Sequence, residues 1–181
     1  EKDLGLGIVR SVGDAEERIA EDGLRLIRAF RFLDQGENGL RSLDGGLSVA
    51  ISSNIGMLEK ISKERIWSEL KLILSGHNSS MIVQMMHEHR VLDEILEGLS
   101  FNKEVELCRN HCVNLALICS GDNQGGSDLS MVLSERLRLS RDEVASVSFL
   151  HDCRKLELDN SEESVRRFRA ALPEFRQIEV L

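Results

Sequence analysis

The chain has one proline, no tyrosine and an aromatic content of 4%. So few ring and β-favouring residues speak against a sheet core, while abundant Leu, Ile, Glu and Arg favour helices. No apolar run is long enough to span a bilayer, and nothing resembles a secretory leader. No paired C-x2-C motif accompanies Cys108, Cys112, Cys119 and Cys153, so the thiols read as free cysteines in a reducing cytoplasm. Positive charge is in deficit too, with a net charge of -8. Bulk attraction to nucleic acid is thereby disfavoured, since phosphate binding needs a basic surface.

What is present is enough for a real core. The 181 residues are 41% hydrophobic and 30% charged, which suits one domain or two small ones. The charge is uneven. Residues 1–75 hold 11 Lys and Arg against 13 Asp and Glu, and the remainder holds 12 against 18. The first residue is Glu1, and the chain is expected to be part of a longer protein.

Helix signals recur along the sequence. Asp14 and Glu17 have capping-box spacing, which predicts a helix from near Ala15 to a break in "DQGENG", residues 34–39. Ile19, Gly23, Leu26, Ile27, Phe30 and Leu33 form its apolar face, opposite Arg18, Glu21, Asp22, Arg25, Arg28 and Phe32. Further helices are predicted over 47–59, from Ser62 to Gly76, over 79–87, 90–97, 103–120, 129–137, 141–157 and 162–171. Val105, Leu107, Cys108, Cys112, Leu115 and Ile118 are the core candidates of the helix over 103–120. The fold class is all-α.

Asp22 and Arg25 are three residues apart, so one continuous helix would put them on a shared face. A carboxylate only accepts hydrogen bonds and a guanidinium only donates them, in a planar fork. Side by side they match a flat partner showing a donor next to an acceptor. The Watson–Crick edges of cytosine and adenine do this, whereas uracil and guanine show the reverse. A buried polar group left unpaired costs roughly 1–3 kcal/mol, enough to discriminate. The alternative is a solvated face of charge pairs worth about 0.2–0.5 kcal/mol each.

The segment "VGDAEERIAEDGLRLIRAFRF", followed by "ISKERIWSEL", resembles the class II tRNA nucleotidyltransferase and poly(A) polymerase family. "DLGLGIVRSVGD" from Asp3 matches the family's lead-in, with Ala15 where the family usually has proline. The resemblance covers roughly residues 3–75. It implies that residues 1–76 are the neck, and that 77–181 are the helical body and tail that hold RNA. It implies that Asp22 and Arg25 of "EDGLR" read the nucleobase of CTP or ATP. Arg18, Glu21 and Arg28 would hold that face, with Glu64, Arg65 and Glu69 bracing it.

The expected activity of the full enzyme is addition of CCA to tRNA 3′ ends, with Mg2+ and the catalytic carboxylates in a head preceding Glu1. Poly(A) addition to RNA and a non-catalytic helical module binding RNA or protein are the alternatives. Partners would be tRNA or another RNA 3′ end and the protein's own head, not DNA or a membrane. The chain has no D-x-D triplet; "EVE" at 104–106 and "ELD" at 157–159 lack the glycine-rich turn. No catalytic or metal-binding residue is therefore assigned here. His151-Asp152 matches the dipeptide of HD hydrolases without the further ligands.

Overall fold

The computed structural model describes residues 3, 6–34, 39–102, 105–123, 125–153 and 161–171. Their regular structure is nearly all helical. The helices are α1 (Ala15–Glu21), α2 (Leu24–Leu33), α3 (Gly45–Ser53), α4 (Lys63–Leu74), α5 (Ser79–Glu88), α6 (Val91–Ile95), α7 (His111–Ile118), α8 (Gly126–Leu137), α9 (Arg141–Cys153) and α10 (Glu162–Ala171). Two-residue strands, β1 (Ile8–Val9) and β2 (Ser42–Leu43), pair in parallel and tie the chain before α1 to the chain before α3. No helix among the described residues is long and apolar enough to cross a membrane.

The caps explain where the helices start. Asp14 accepts from the Glu17 N–H at 2.9 Å, with Glu16 and Glu17 in the first turn of α1 facing its positive dipole end. Asp44 accepts from Gly46 and Leu47, and Ser62 from Arg65, opening α3 and α4. Ser140 and Glu143 form a reciprocal capping box at α9. The Ser140 hydroxyl accepts from the Glu143 N–H, and the Glu143 carboxylate accepts from the Ser140 N–H.

One contiguous core joins these elements, from Ile19 in α1 to Val147 in α9. Leu26, Ile27, Phe30 and Leu33 are fully buried where α2 lies on α4, and Leu70, Ile73 and Leu74 are buried on the α4 side. Each such side chain contributes about 1.5–3 kcal/mol of transfer free energy. Later, α9 packs on both α7 and α8, and α4 touches α7 and α8 as well.

Three predicted helices differ from what forms. The first is two helices, broken at Asp22, whose backbone is extended (φ −152°, ψ 101°). Close packing at the break admits only glycine after Asp22: a Cβ on Gly23 would lie 2.9 Å from both the Met57 carbonyl oxygen and the Met57 Cβ. The helix predicted over 47–59 stops at Ser53 and gives way to a 3-10 turn, Ile55–Lys60. The helix predicted over 103–120 begins only at His111, after the Asn110 cap. Before it, tertiary bonds replace helical ones: Leu107 N–H donates to Ser80 Oγ, and Cys108 N–H to Asn114 Oδ1. Cys108 is exposed rather than buried, while Cys112 and Cys119 are buried. Residues 35–38 of the predicted break, residues 103–104, residues 154–157 at the end of the helix predicted over 141–157, and "ELD" at 157–159 lie outside the described residues.

Candidate functional site

The arginine-rich stretch forms a surface along the α1–α2 break and the adjoining edge of α4. Asp22 sits at the break itself. Its Oδ1 accepts from the Leu24 N–H at 3.2 Å, helping to start α2. Arg65, in the first turn of α4, reaches across and donates through Nη2 to Oδ1 at 3.3 Å and Oδ2 at 3.0 Å. Burial pushes the Asp22 carboxyl up, but the Leu24 N–H and the Arg65 guanidinium outweigh it and hold the group below its ordinary value.

Arg25, in the first turn of α2, turns back over the break. Its Nη1 donates to Glu21 Oε2 and to the Arg18 carbonyl, each at 2.7 Å. Arg18 donates to the same Glu21 oxygen at 2.6 Å. Glu21 therefore bridges two guanidiniums, and the bond from Arg25 lowers its carboxyl below the usual range. The break thus replaces the shared helix face expected for Asp22 and Arg25. The two groups are instead held on either side of a kink, each by its own partner.

One turn further on, Glu69 of α4 lies 2.8 Å from Arg31 Nη1 and 3.7 Å from Arg28 Nε. The same two guanidiniums lie over the Phe32 ring, at 5.9 Å (Arg28) and 4.9 Å (Arg31) from its centroid. Of the three α4 residues singled out in the sequence, Arg65 and Glu69 reach the first helices. Glu64 instead faces Arg138, at 3.9 Å between two exposed side chains. Arg31 was not singled out, although its i,i+3 spacing from Arg28 was a readable signal. Counting Arg18, Arg25, Arg28, Arg31 and Arg65 against Glu21, Asp22 and Glu69, the face is locally basic in an acidic chain.

The remaining candidates have other duties. Asp152 Oδ1 accepts from the Gly126 N–H at 2.8 Å at the start of α8, and His151 is buried. His87 Nδ1 lies 2.8 Å from Asp93, and His89 meets Ser52 on α3 at 3.0 Å. His89 also caps the C-terminus of α5.

Comparisons with known proteins bear on this geometry. Residues 43–102 match the family model described as "Probable RNA and SrmB- binding site of polymerase A". The mouse protein "CCA tRNA nucleotidyltransferase 1, mitochondrial" is 39% identical over 98 residues, covering 54% of this chain and 22% of that protein. The "CCA-adding enzyme" of Staphylococcus epidermidis is 31% identical over 111 residues, covering 61% of this chain and 26% of that protein. The chain therefore spans about a quarter of the length of these curated relatives. A solved structure, the Bacillus stearothermophilus CCA-adding enzyme in complex with CTP, superposes with a TM-score of 0.70 at 22% identity. That match covers 97% of this chain and 48% of the other.

Proposed function

We infer that this chain, which belongs to the class II CCA-adding enzyme family, is the base-reading and RNA-holding part of a tRNA nucleotidyltransferase. The full enzyme adds C, C and A to tRNA 3′ ends from CTP and ATP. Residues 1–76 serve as the neck and 77–181 as the body and tail that grip the RNA. Asp22 accepts from the exocyclic amino group of cytosine or adenine, and Arg25 donates to the neighbouring ring nitrogen. Arg18 and Glu21 hold Arg25, Arg65 holds Asp22, and Glu69, close to Arg31 with Arg28 beside it, fixes α2 on α4. Glu64, which faces Arg138, takes no part in this brace.

The single observation that carries this reading is the separate anchoring of Asp22 and Arg25 on either side of the kink. Asp22 and Arg25 are each anchored by partners that leave further hydrogen-bonding capacity on both. Nucleotidyl transfer uses metal ions to stabilise the attacking and leaving oxygens. This chain has no D-x-D triplet, so its residues do not fit that duty. On this proposal Mg2+ belongs to a catalytic head outside these 181 residues. The reaction is placed in the cytoplasm.

The test is single-nucleotide addition by the full-length protein with each of the four NTPs. Asp22→Ala should relax the choice of C and A over U and G by roughly ten-fold or more, the loss of about 1.4 kcal/mol. Wild-type selectivity in a folded Asp22→Ala protein would sink the base-reading assignment. A second reading, poly(A) addition, has one observation in its favour: the matched family model is named for polymerase A.

A further inference from the structure

The hydrogen bonds on Asp22 allow a count of what remains open. A carboxylate offers about four lone-pair positions, two on each oxygen. Oδ1 takes the Leu24 N–H and one contact from Arg65, and Oδ2 takes the other contact from Arg65. One position is left, on Oδ2. Arg65 does not reach Asp22 from a loose surface. Its own N–H is held by Ser62 Oγ at the α4 cap, so its backbone is fixed. On the other side of the kink, Nη1 of Arg25 is taken by Glu21 and the Arg18 carbonyl, which leaves Nη2 and Nε as the open donor edge.

We propose that Arg65 is a specificity-determining positioning residue: it orients Asp22 so that a single acceptor on Oδ2 faces the incoming base. The proposal rests on the reading of Asp22 as the base-reading carboxylate. A fixed acceptor rewards an amino group and repels a carbonyl. A carboxylate that can rotate is a weaker filter. It holds C and A less firmly, and it swings away from the carbonyl of U or G and so lowers their penalty. Bracing alone makes a different prediction, since a loosened α2–α4 contact would weaken all four nucleotides together. The contact is made by one nitrogen, Nη2, on both oxygens. A lysine ammonium can reproduce such a single-point contact, so the bidentate fork of arginine is not required here.

The experiment measures kcat and KM for each NTP with the full-length protein, on a tRNA transcript ending before CCA. Arg65→Met should cut the ratio of C and A over U and G roughly ten-fold, the equivalent of about 1.4 kcal/mol. The change should fall on KM for C and A more than on kcat, and Arg65→Lys should restore most of the ratio. Should Arg65→Met melt early, the wild-type protein carries the test by itself. The Arg65 side chain is 52% exposed and that of Asp22 31%, so added KCl screens the pair and should lower the ratio. An unchanged ratio in folded Arg65→Met, or in wild type across a salt series, overturns the proposal if Asp22→Ala still relaxes selectivity. If Asp22→Ala leaves selectivity intact, the base-reading assignment itself has failed.

Discussion

Glu143 gives the most quantitative prediction. Its carboxylate lies buried at the start of α9, where four groups converge on it, two from α4, one from α7 and one from its own cap. Trp67 Nε1 donates to Oε2 at 3.1 Å, and the Ser140 N–H donates to the same oxygen at 2.8 Å. Lys71 Nζ pairs with Oε1, and His111 Nε2 lies 3.4 Å from it. Burial pushes the carboxyl up, but the Lys71 bond, the Ser140 bonds and the Trp67 bond outweigh it and bring the group down to about 2. A carboxyl that titrates near 2 when folded and near 4.5 when unfolded contributes about 3 kcal/mol at neutral pH. Because the folded value is the lower one, that contribution is complete above about 4.5 and is lost as the pH falls towards 2.

Glu143→Gln keeps an acceptor for the Trp67 and Ser140 donors but removes the charge opposite Lys71. For a chain of this length it should lower Tm by roughly 6–12 °C at pH 7. The assay is denaturant unfolding of wild type and variant from pH 7 down to pH 3. The gap between them should be about 3 kcal/mol at neutral pH and should narrow steadily below pH 4.5. A gap of constant size across that range would refute the reasoning, because the loss would then come from packing and not from charge.

Two further predictions concern the same half of the chain. A Cβ on Gly126 would lie 2.1 Å from the Ser148 carbonyl oxygen and 2.7 Å from Asp152, so Gly126→Ala must push α8 off α9. It should cost about 1–3 kcal/mol or more, seen as an early thermal melt with no change in base choice. Burial pushes the Cys119 thiol up to about 12, whereas Cys108 is exposed. Peptide mapping after a brief alkylation of the native protein at pH 8 should find Cys108 modified and Cys119 untouched until denaturant is added.

The residues that can be read from the sequence are those fixed by neighbours close in the chain. Asp14 and Ser62 were recognisable as caps because the groups they bind lie three residues on. The apolar stripe from Ile19 to Leu33 was also legible, and those residues are buried. Its division into two helices was not. Met57, more than thirty residues away, packs close against Gly23 at the break, a contact that no local pattern announces, and periodicity survives the kink because Gly23 itself stays buried. The stretch before His111 failed for a similar reason. Asn114 is fully buried and donates to the Leu74 and Cys108 carbonyls, and no local pattern announces that use. Asn110 was a readable cap signal, as was the S-x-x-E box at Ser140 and Glu143.

For the candidate site, the residue types were legible and their partnerships were less so. The chemistry of Asp22 and Arg25 follows from their functional groups. The i,i+4 spacing of Glu21 and Arg25 was readable, but that Arg65 would hold Asp22 and that Arg31 would be nearer than Arg28 to Glu69 are facts of tertiary packing. The expectation of a shared helix face would have aimed both groups alike. The kink instead gives each its own anchor, and on the proposed reading the selectivity of the pair then depends on residues that do not read the base.

The measurement that tests the central claim most directly is nucleotide incorporation by the full-length, magnesium-supplied protein on tRNA transcripts ending before CCA, with each NTP alone and in mixtures. The account predicts ordered addition of C, C and then A, with U and G refused. Long A tails would move the assignment to poly(A) addition. A folded protein that incorporates nothing would contradict the account and leave a non-catalytic binding module in its place.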